Sequence, residues 1–224
     1  MNTALVHAPQ SAQKPLSWLW LAAFAGSSVF YILLADLVPS EWRWLFKIIP
    51  IALLLQLALT RSEGRARNLL VTGLVLSACG DILLALDGLF VQGLAAFLLA
   101  QITYTVLFLT RFRWQKRRLP WAALIVVYAT LCSLFIIPQA GDMTLPVTAY
   151  MIAISLMAIA AGFRADEHFL WVAMGALIFM ISDTLIAIDR FVSPLNYYGV
   201  ASGVAVMSTY YIAQALICVG IVRS

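Results

Sequence analysis

Eight apolar runs, each close to the ~20 residues that a helix needs to cross a bilayer core, fill almost the whole chain. They fall at about 16–35, 43–60, 68–86, 89–110, 119–138, 144–163, 169–188 and 197–222. Backbone N–H and C=O groups find no water in hydrocarbon, so a spanning run of this length has to be helical. The expected fold is therefore all-α: a polytopic membrane bundle of eight transmembrane helices over residues 15–224, after a polar N-terminal tail of residues 1–14. Only 11% of the residues are charged, against about 25% in a soluble domain. Ala23-Phe24-Ala25 resembles a signal-peptide cleavage site, but the apolar run continues without a charge to Ala35 and reads as a retained span.

Charge placement orients the bundle. Lys14, Arg61, Arg65, Arg67, Arg111, Arg113, Lys116, Arg117, Arg118, Arg164 and Arg223 all fall on one side of an eight-span topology, and only Arg43 and Arg190 on the other. The positive-inside rule then puts both termini in the cytoplasm, with Asp36–Glu41, Asp87–Gln92, Gln139–Asp142 and Asp189–Ser193 outside. An integral protein of a cell membrane, bacterial inner membrane in type, fits the short connections and the strong bias. The Arg111–Arg118 run serves as a topology determinant or as a site for anionic membrane lipid.

The same residues exclude several functions. No basic surface interleaved with aromatics is present, so nucleic acid is not an expected partner. The two histidines, His7 and His168, sit in polar ends, and the three cysteines, Cys79, Cys132 and Cys218, sit apart in apolar runs without a C-x-x-C pair. Neither a metal site nor a cofactor is expected. G-x-S-x-G is absent and no histidine lies within a span, which disfavours a covalent serine mechanism.

Inside the spans, three charges stand out: Lys47, Asp81 and Asp183. A carboxyl group in a membrane segment is costly, and its default reading is functional. Asp81-Ile-Leu-Leu-Ala-Leu-Asp87 and Asp183-Thr-Leu-Ile-Ala-Ile-Asp189 share the frame D-x-L-x-A-x-D at an offset of 102 residues. The copies lie on spans three and seven, so a duplication would give two parallel four-helix halves, 15–114 and 115–224, about an axis along the membrane normal. The alternative is coincidence among Leu/Ala-rich helices, since four of the seven positions are identical. Asp81 lies six residues before the outer end of span three, about 9 Å deep, and Asp183 stands likewise before Asp189. Lys47 lies five residues into span two, about 7–8 Å deep. Three helices thus place their buried charges at one depth, where Lys47 either joins the carboxylates or snorkels outward. Ser77 stands one turn from Asp81, Ser182 adjoins Asp183, and Gln101, Tyr104, Tyr210, Tyr211 and Gln214 line up as a chamber running inward.

Two nearby carboxyls in a low-dielectric site titrate apart, giving a general acid and a general base at one pH. Lys47 would hold one of them ionised or bind a phosphate. Beside this enzyme reading stand a small proton-coupled transporter, since parallel repeats and intramembrane acids suit one, and a lipid-binding protein without turnover.

Taken together, Lys47 with Pro50, Ser77-x-x-Gly80-Asp81, Gly93-Leu-Ala-Ala-Phe97, Tyr104, Gly175-Ala176-x-x-Phe179 with Ser182-Asp183, and Tyr211-x-x-Gln214 resemble the lysoplasmalogenase, or YhhN-like, family across spans two to eight. The order and spacing of these short matches carry the likeness, and the family often has His where this chain has Gln101. The resemblance implies a membrane hydrolase that takes a lysophospholipid substrate from the bilayer. It would cleave the vinyl ether bond of lysoplasmalogens to a fatty aldehyde and a glycerophospho-ethanolamine or -choline. Asp81, Asp183 and Lys47 are then the expected catalytic groups, with Ser77, Gln101, Tyr104, Ser182, Tyr210, Tyr211 and Gln214 around the substrate.

Overall fold

Each apolar run is one helix in the computed structural model, which describes residues 15–192 and 199–224. The helices are α1 (Trp18–Leu34), α2 (Ser40–Arg61), α3 (Gly64–Leu84), α4 (Phe90–Leu109), α5 (Leu119–Ile136), α6 (Thr144–Gly162), α7 (Phe169–Ala187) and α8 (Gly199–Val222). All eight are long and apolar enough to cross a membrane. The tail expected over residues 1–14 lies outside the described residues.

Two boundaries differ from expectation for local reasons. Helix α3 starts at Gly64 rather than near 68. Gly64 has φ +58°, a left-handed conformation that glycine adopts without strain, so α2 turns into α3 across only Ser62 and Glu63. Beyond α7 the chain stays helical as a π-helical turn over Ile188–Val192. Asp189 and Arg190, expected in an external loop, are thus held on a helical turn at exposed positions.

Packing pairs the helices in a repeated pattern. The most extensive contacts are α3 along α4 and α7 along α8; α2 lies on α3 as α6 lies on α7, α1 on α2 as α5 on α6, and α4 meets α6 as α8 meets α2. Helices α1 and α5 are peripheral, and few of their side chains are buried. One apolar cluster runs from Ile51 and Leu54 on α2 through Tyr104 and Phe108 to Phe179, Tyr210 and Tyr211. Close approach depends on glycine. A Cβ on Gly73 would lie 2.4 Å from the Tyr104 ring, and one on Gly175 would lie 2.9 Å from the Ala213 carbonyl oxygen. In lipid, where helices gain little from hydrophobic burial, such small residues set how near two backbones come.

At the end of the bundle that carries the C-terminus, arginines act as struts. Arg164 is buried; it donates to the Leu107 carbonyl at 3.1 Å and pairs with Asp166 at 2.6 Å. Arg118 donates to the Gly162 carbonyl at 2.9 Å with its guanidinium 3.7 Å over Phe169. Arg111 donates to the Ser224 carbonyl at 2.9 Å. Of the basic run only Arg118 is therefore spent inside the protein, and Arg111, Arg113, Lys116 and Arg117 are exposed.

Candidate active site

Asp81 projects from α3 into a buried polar knot. Its Oδ1 lies 3.1 Å from Lys47 Nζ, with the two side chains only 3% and 12% exposed. This answers the position of Lys47: it faces the carboxylate instead of snorkelling out. Lys47 Nζ also lies 3.4 Å from the Asp81 carbonyl. Three residues along, Pro50 sits inside α2 and leaves a carbonyl of the preceding turn without its N–H partner. The neighbouring Lys47 carbonyl accepts from Tyr211 at 2.8 Å, which ties α2 to α8 at the level of the ion pair.

The second oxygen of Asp81 accepts from Tyr210 at 2.6 Å. Tyr210 in turn accepts from Gln214 Nε2 at 3.4 Å, and Gln214 Oε1 accepts from Tyr104 at 2.8 Å. Tyr210 and Gln214 are four apart on α8 and share a face. The result is a chain Lys47–Asp81–Tyr210–Gln214–Tyr104 across four helices. Ser77, fully buried one turn from Asp81, lies on the same side of α3.

Asp183 on α7 has a different company. Its Oδ2 accepts from Gln101 Nε2 at 3.0 Å and from Tyr150 at 2.5 Å. Both donors are neutral, and both serve the same oxygen. Gln101 and Tyr104 are three residues apart on α4, so one helix carries a member of each network. Between the two lies an aromatic trio, Phe97, Phe179 and Tyr210, in edge-on contact with centroids 5.7–6.3 Å apart. Among the described residues each carboxylate keeps its own donors, and no hydrogen bond joins Asp81 to Asp183.

Asp183 also borders a narrow cavity of about 40 Å³, walled by Phe90, Leu94 and Phe97 of α4, by Tyr150 and Ile154 of α6, and by Met180 of α7. The walls are apolar apart from Asp183, Tyr150 and Thr184, which suits a hydrocarbon chain with one polar point of attack. Asp81 is not among its lining residues; Phe97, which is, packs on Tyr210.

Of the expected site residues, Lys47, Asp81, Tyr210, Gln214 and Tyr104 join one network and Gln101 and Asp183 the other. Ser182 and Tyr211 make interhelical ties instead: the Ser182 hydroxyl donates to the Val206 carbonyl at 3.0 Å, and Tyr211 donates to Lys47 as above. Tyr150 was missed by sequence reasoning. It is the one tyrosine of span six, and a count of polar side chains per span would have raised it, though not its partner. Among the described residues no three His, Cys, Asp or Glu side chains gather in a metal-binding group.

The profile of the YhhN family matches residues 42–221. The chain belongs to the YhhN family. Three curated relatives share the name lysoplasmalogenase. Lysoplasmalogenase TMEM86A of Bos taurus is 32% identical over 219 residues, covering 90% of this chain and 87% of the relative. Lysoplasmalogenase TMEM86B of Homo sapiens is 33% identical over 223 residues, covering 96% and 91%. The lysoplasmalogenase of Mycobacterium bovis is 34% identical over 183 residues, covering 78% and 68%. No solved structure matches the chain. The matched region of this YhhN protein begins at Trp42, so it includes all of the polar groups above and omits the peripheral α1.

Proposed function

We propose that this YhhN protein is a membrane-embedded lysoplasmalogenase that cleaves the vinyl ether bond of a lysoplasmalogen by acid–base chemistry. The observation that carries the reading is Asp183: a carboxyl group on the wall of an apolar cavity, served by two neutral donors, with a lysine-paired carboxylate one aromatic layer away.

Vinyl ether hydrolysis starts with a proton. Asp183 gives it to the alkenyl β-carbon, the π electrons form the new C–H bond, and positive charge spreads over the α-carbon and the ether oxygen. The carboxylate left behind sits against that cation. Gln101 and Tyr150 already point at its Oδ2, so their bonds strengthen as negative charge develops there, and stabilisation is concentrated in the transition state. Water then adds to the α-carbon and loses a proton to the site. The hemiacetal collapses to a fatty aldehyde and the free hydroxyl of a glycerophospho-ethanolamine or -choline. Glycosidases manage a related oxocarbenium ion with two carboxyl groups.

The two aspartates divide the labour through their partners. Lys47 balances Asp81 and favours its anionic form, which suits the base arm; Tyr210 is its contact toward the cavity wall. Asp183 has no cation among its hydrogen-bond partners and is the proton donor. The parallel extends to the halves: Asp81 takes one donor from the preceding helix, Lys47 of α2, and one from the last helix of the other half, Tyr210 of α8. Asp183 takes Tyr150 of α6 and Gln101 of α4 in the same way. This correspondence supports an ancestral duplication over 15–114 and 115–224, after which one copy kept a charge pair and the other neutral donors.

The test is purified protein in detergent with 1-alkenyl-glycerophosphoethanolamine. Aldehyde release by the wild type, with loss in Asp183→Asn, is expected; a folded wild type that releases none overturns the reading.

A further inference from the structure

The substrate proposed above carries a phosphate, and the cations near the site are mostly occupied. At the end of the bundle where α3 finishes and α4 begins, the described cations are Arg43, Lys47 and Arg190. Arg43 pairs with Asp36 at 3.3 Å and donates to the Val38 carbonyl at 3.0 Å. Lys47 is buried against Asp81. Arg190 has another kind of partner: its guanidinium lies 4.7 Å over the ring of Phe90. Phe90 packs edge-on to Phe191 with centroids 6.1 Å apart. Both rings line the same cavity as Asp183, and Arg190 is exposed. A cation–π contact engages none of the guanidinium's N–H donors in a hydrogen bond, and those donors meet phosphate oxygens two at a time.

The spacing also fits. Arg190 follows Asp183 by seven residues on a continuous helical stretch, so its backbone stands about 10 Å further toward the bundle's end at the rise of an α-helix. In a lysoplasmalogen seven bonds separate the alkenyl β-carbon from phosphorus, about 8 Å at the roughly 1.2 Å per bond of an extended chain. With the β-carbon at Asp183 and the hydrocarbon chain running inward past Met180 and Ile154, the phosphate reaches the level of Arg190.

Resting on the lysoplasmalogenase reading, we propose that Arg190, shelved on Phe90 at the mouth of the Asp183 cavity, binds the phosphate of the substrate headgroup and so selects lysophospholipids over neutral glycerol ethers. It also gives a functional reason for an arginine that stands against the charge bias of the chain.

Unreactive ligands test this apart from catalysis. A 1-alkyl-glycerophosphoethanolamine, which lacks the vinyl bond, and the matching 1-alkylglycerol, which lacks the phosphate, are titrated into wild type, Arg190→Gln and Arg190→Lys in detergent. Arg190→Gln should weaken the phospholipid analogue by about tenfold or more, as expected for a lost charge-assisted contact, and leave the alkylglycerol unchanged. Arg190→Lys should fall between. Should Arg190→Gln not fold, Arg190→Met, which keeps the apolar stem beside Phe90 and removes the charge, should weaken the phospholipid analogue alone. Equal weakening of both ligands, or no change in either, overturns the assignment. Inorganic phosphate as competitor separates sources: weak competition supports a headgroup site, whereas phosphate binding as tightly as the lipid analogue overturns a lipid-selecting role. Turnover of the vinyl ether substrate is measured beside these titrations. A wild type that binds as expected but releases no aldehyde counts against the lysoplasmalogenase reading, not against Arg190.

Discussion

Asp183→Asn keeps the shape of the side chain and removes the proton. The amide can neither protonate carbon nor balance the cation that follows, so aldehyde release should fall by about 10²–10⁴-fold, the usual worth of general acid–base catalysis. Asp81→Asn should also impair turnover, and the double variant should be little worse than Asp183→Asn, because groups that act as a unit do not add. Tyr150→Phe is the sharper test of the geometry. It removes one donor at 2.5 Å from Oδ2 and little else. Loss of one donor to a developing anion should cost about 10²-fold in kcat with KM nearly unchanged; an unaltered kcat would remove Tyr150 from the site. Lys47→Met leaves Asp81 in the interior without its cation and should destabilise the fold by about 3–5 kcal/mol, as breaking a buried pair does. Adding Asp81→Leu should restore much of that stability while activity stays lost. Thermal unfolding of these two variants and the wild type, read beside turnover, separates the ion pair's structural part from its chemical one.

At the scale of elements, the site depends on how closely α3 lies on α4 and α7 on α8. Gly175 is the sensitive position. A side chain there meets the Ala213 carbonyl oxygen and the Ile217 backbone, both at 2.9 Å, and backbone cannot rotate aside. Gly175→Val should therefore part α7 from α8, at a cost of about 1–3 kcal/mol for overpacking. Separation would draw Asp183 away from Gln101 and Tyr150, which are held by α4 and α6. Turnover should fall more than stability alone explains, and a fully active, stable Gly175→Val protein would show that the α7–α8 distance does not matter. The π-helical turn after α7 belongs at this scale too, since it carries the helix past Asp183 to Phe191 at the cavity wall. Such turns often mark functional positions.

For the whole molecule the open question is orientation in the membrane. The bias of eleven cations to two supports cytoplasmic termini. With Cys79, Cys132 and Cys218 replaced, a cysteine at Lys116 should react with a membrane-impermeant reagent only from the cytoplasmic side. A cysteine at Gly141 should react only from outside; both positions are exposed. The opposite pattern would invert the bundle and place the cavity mouth in the inner leaflet.

What the sequence determined by itself was the membrane fold and the identity of its rare polar groups. Apolar length fixes the number of helices, because a backbone in hydrocarbon has few choices, and the cost of a buried charge makes Lys47, Asp81 and Asp183 conspicuous. Ser182 and Tyr211 were legible as polar but not as interhelical ties, since a hydroxyl on a helix face does not announce which carbonyl it will meet. Only the tertiary structure decided how the charges are shared. It gave the lysine to Asp81, gave Gln101 and Tyr150 to Asp183, and lined with Asp183 a cavity that Asp81 does not line. Each of those contacts joins residues 33 to 129 positions apart. Their partners follow from which helix faces meet, and that is set by glycine contacts and side-chain packing across the bundle. The periodicity of a single span cannot encode them.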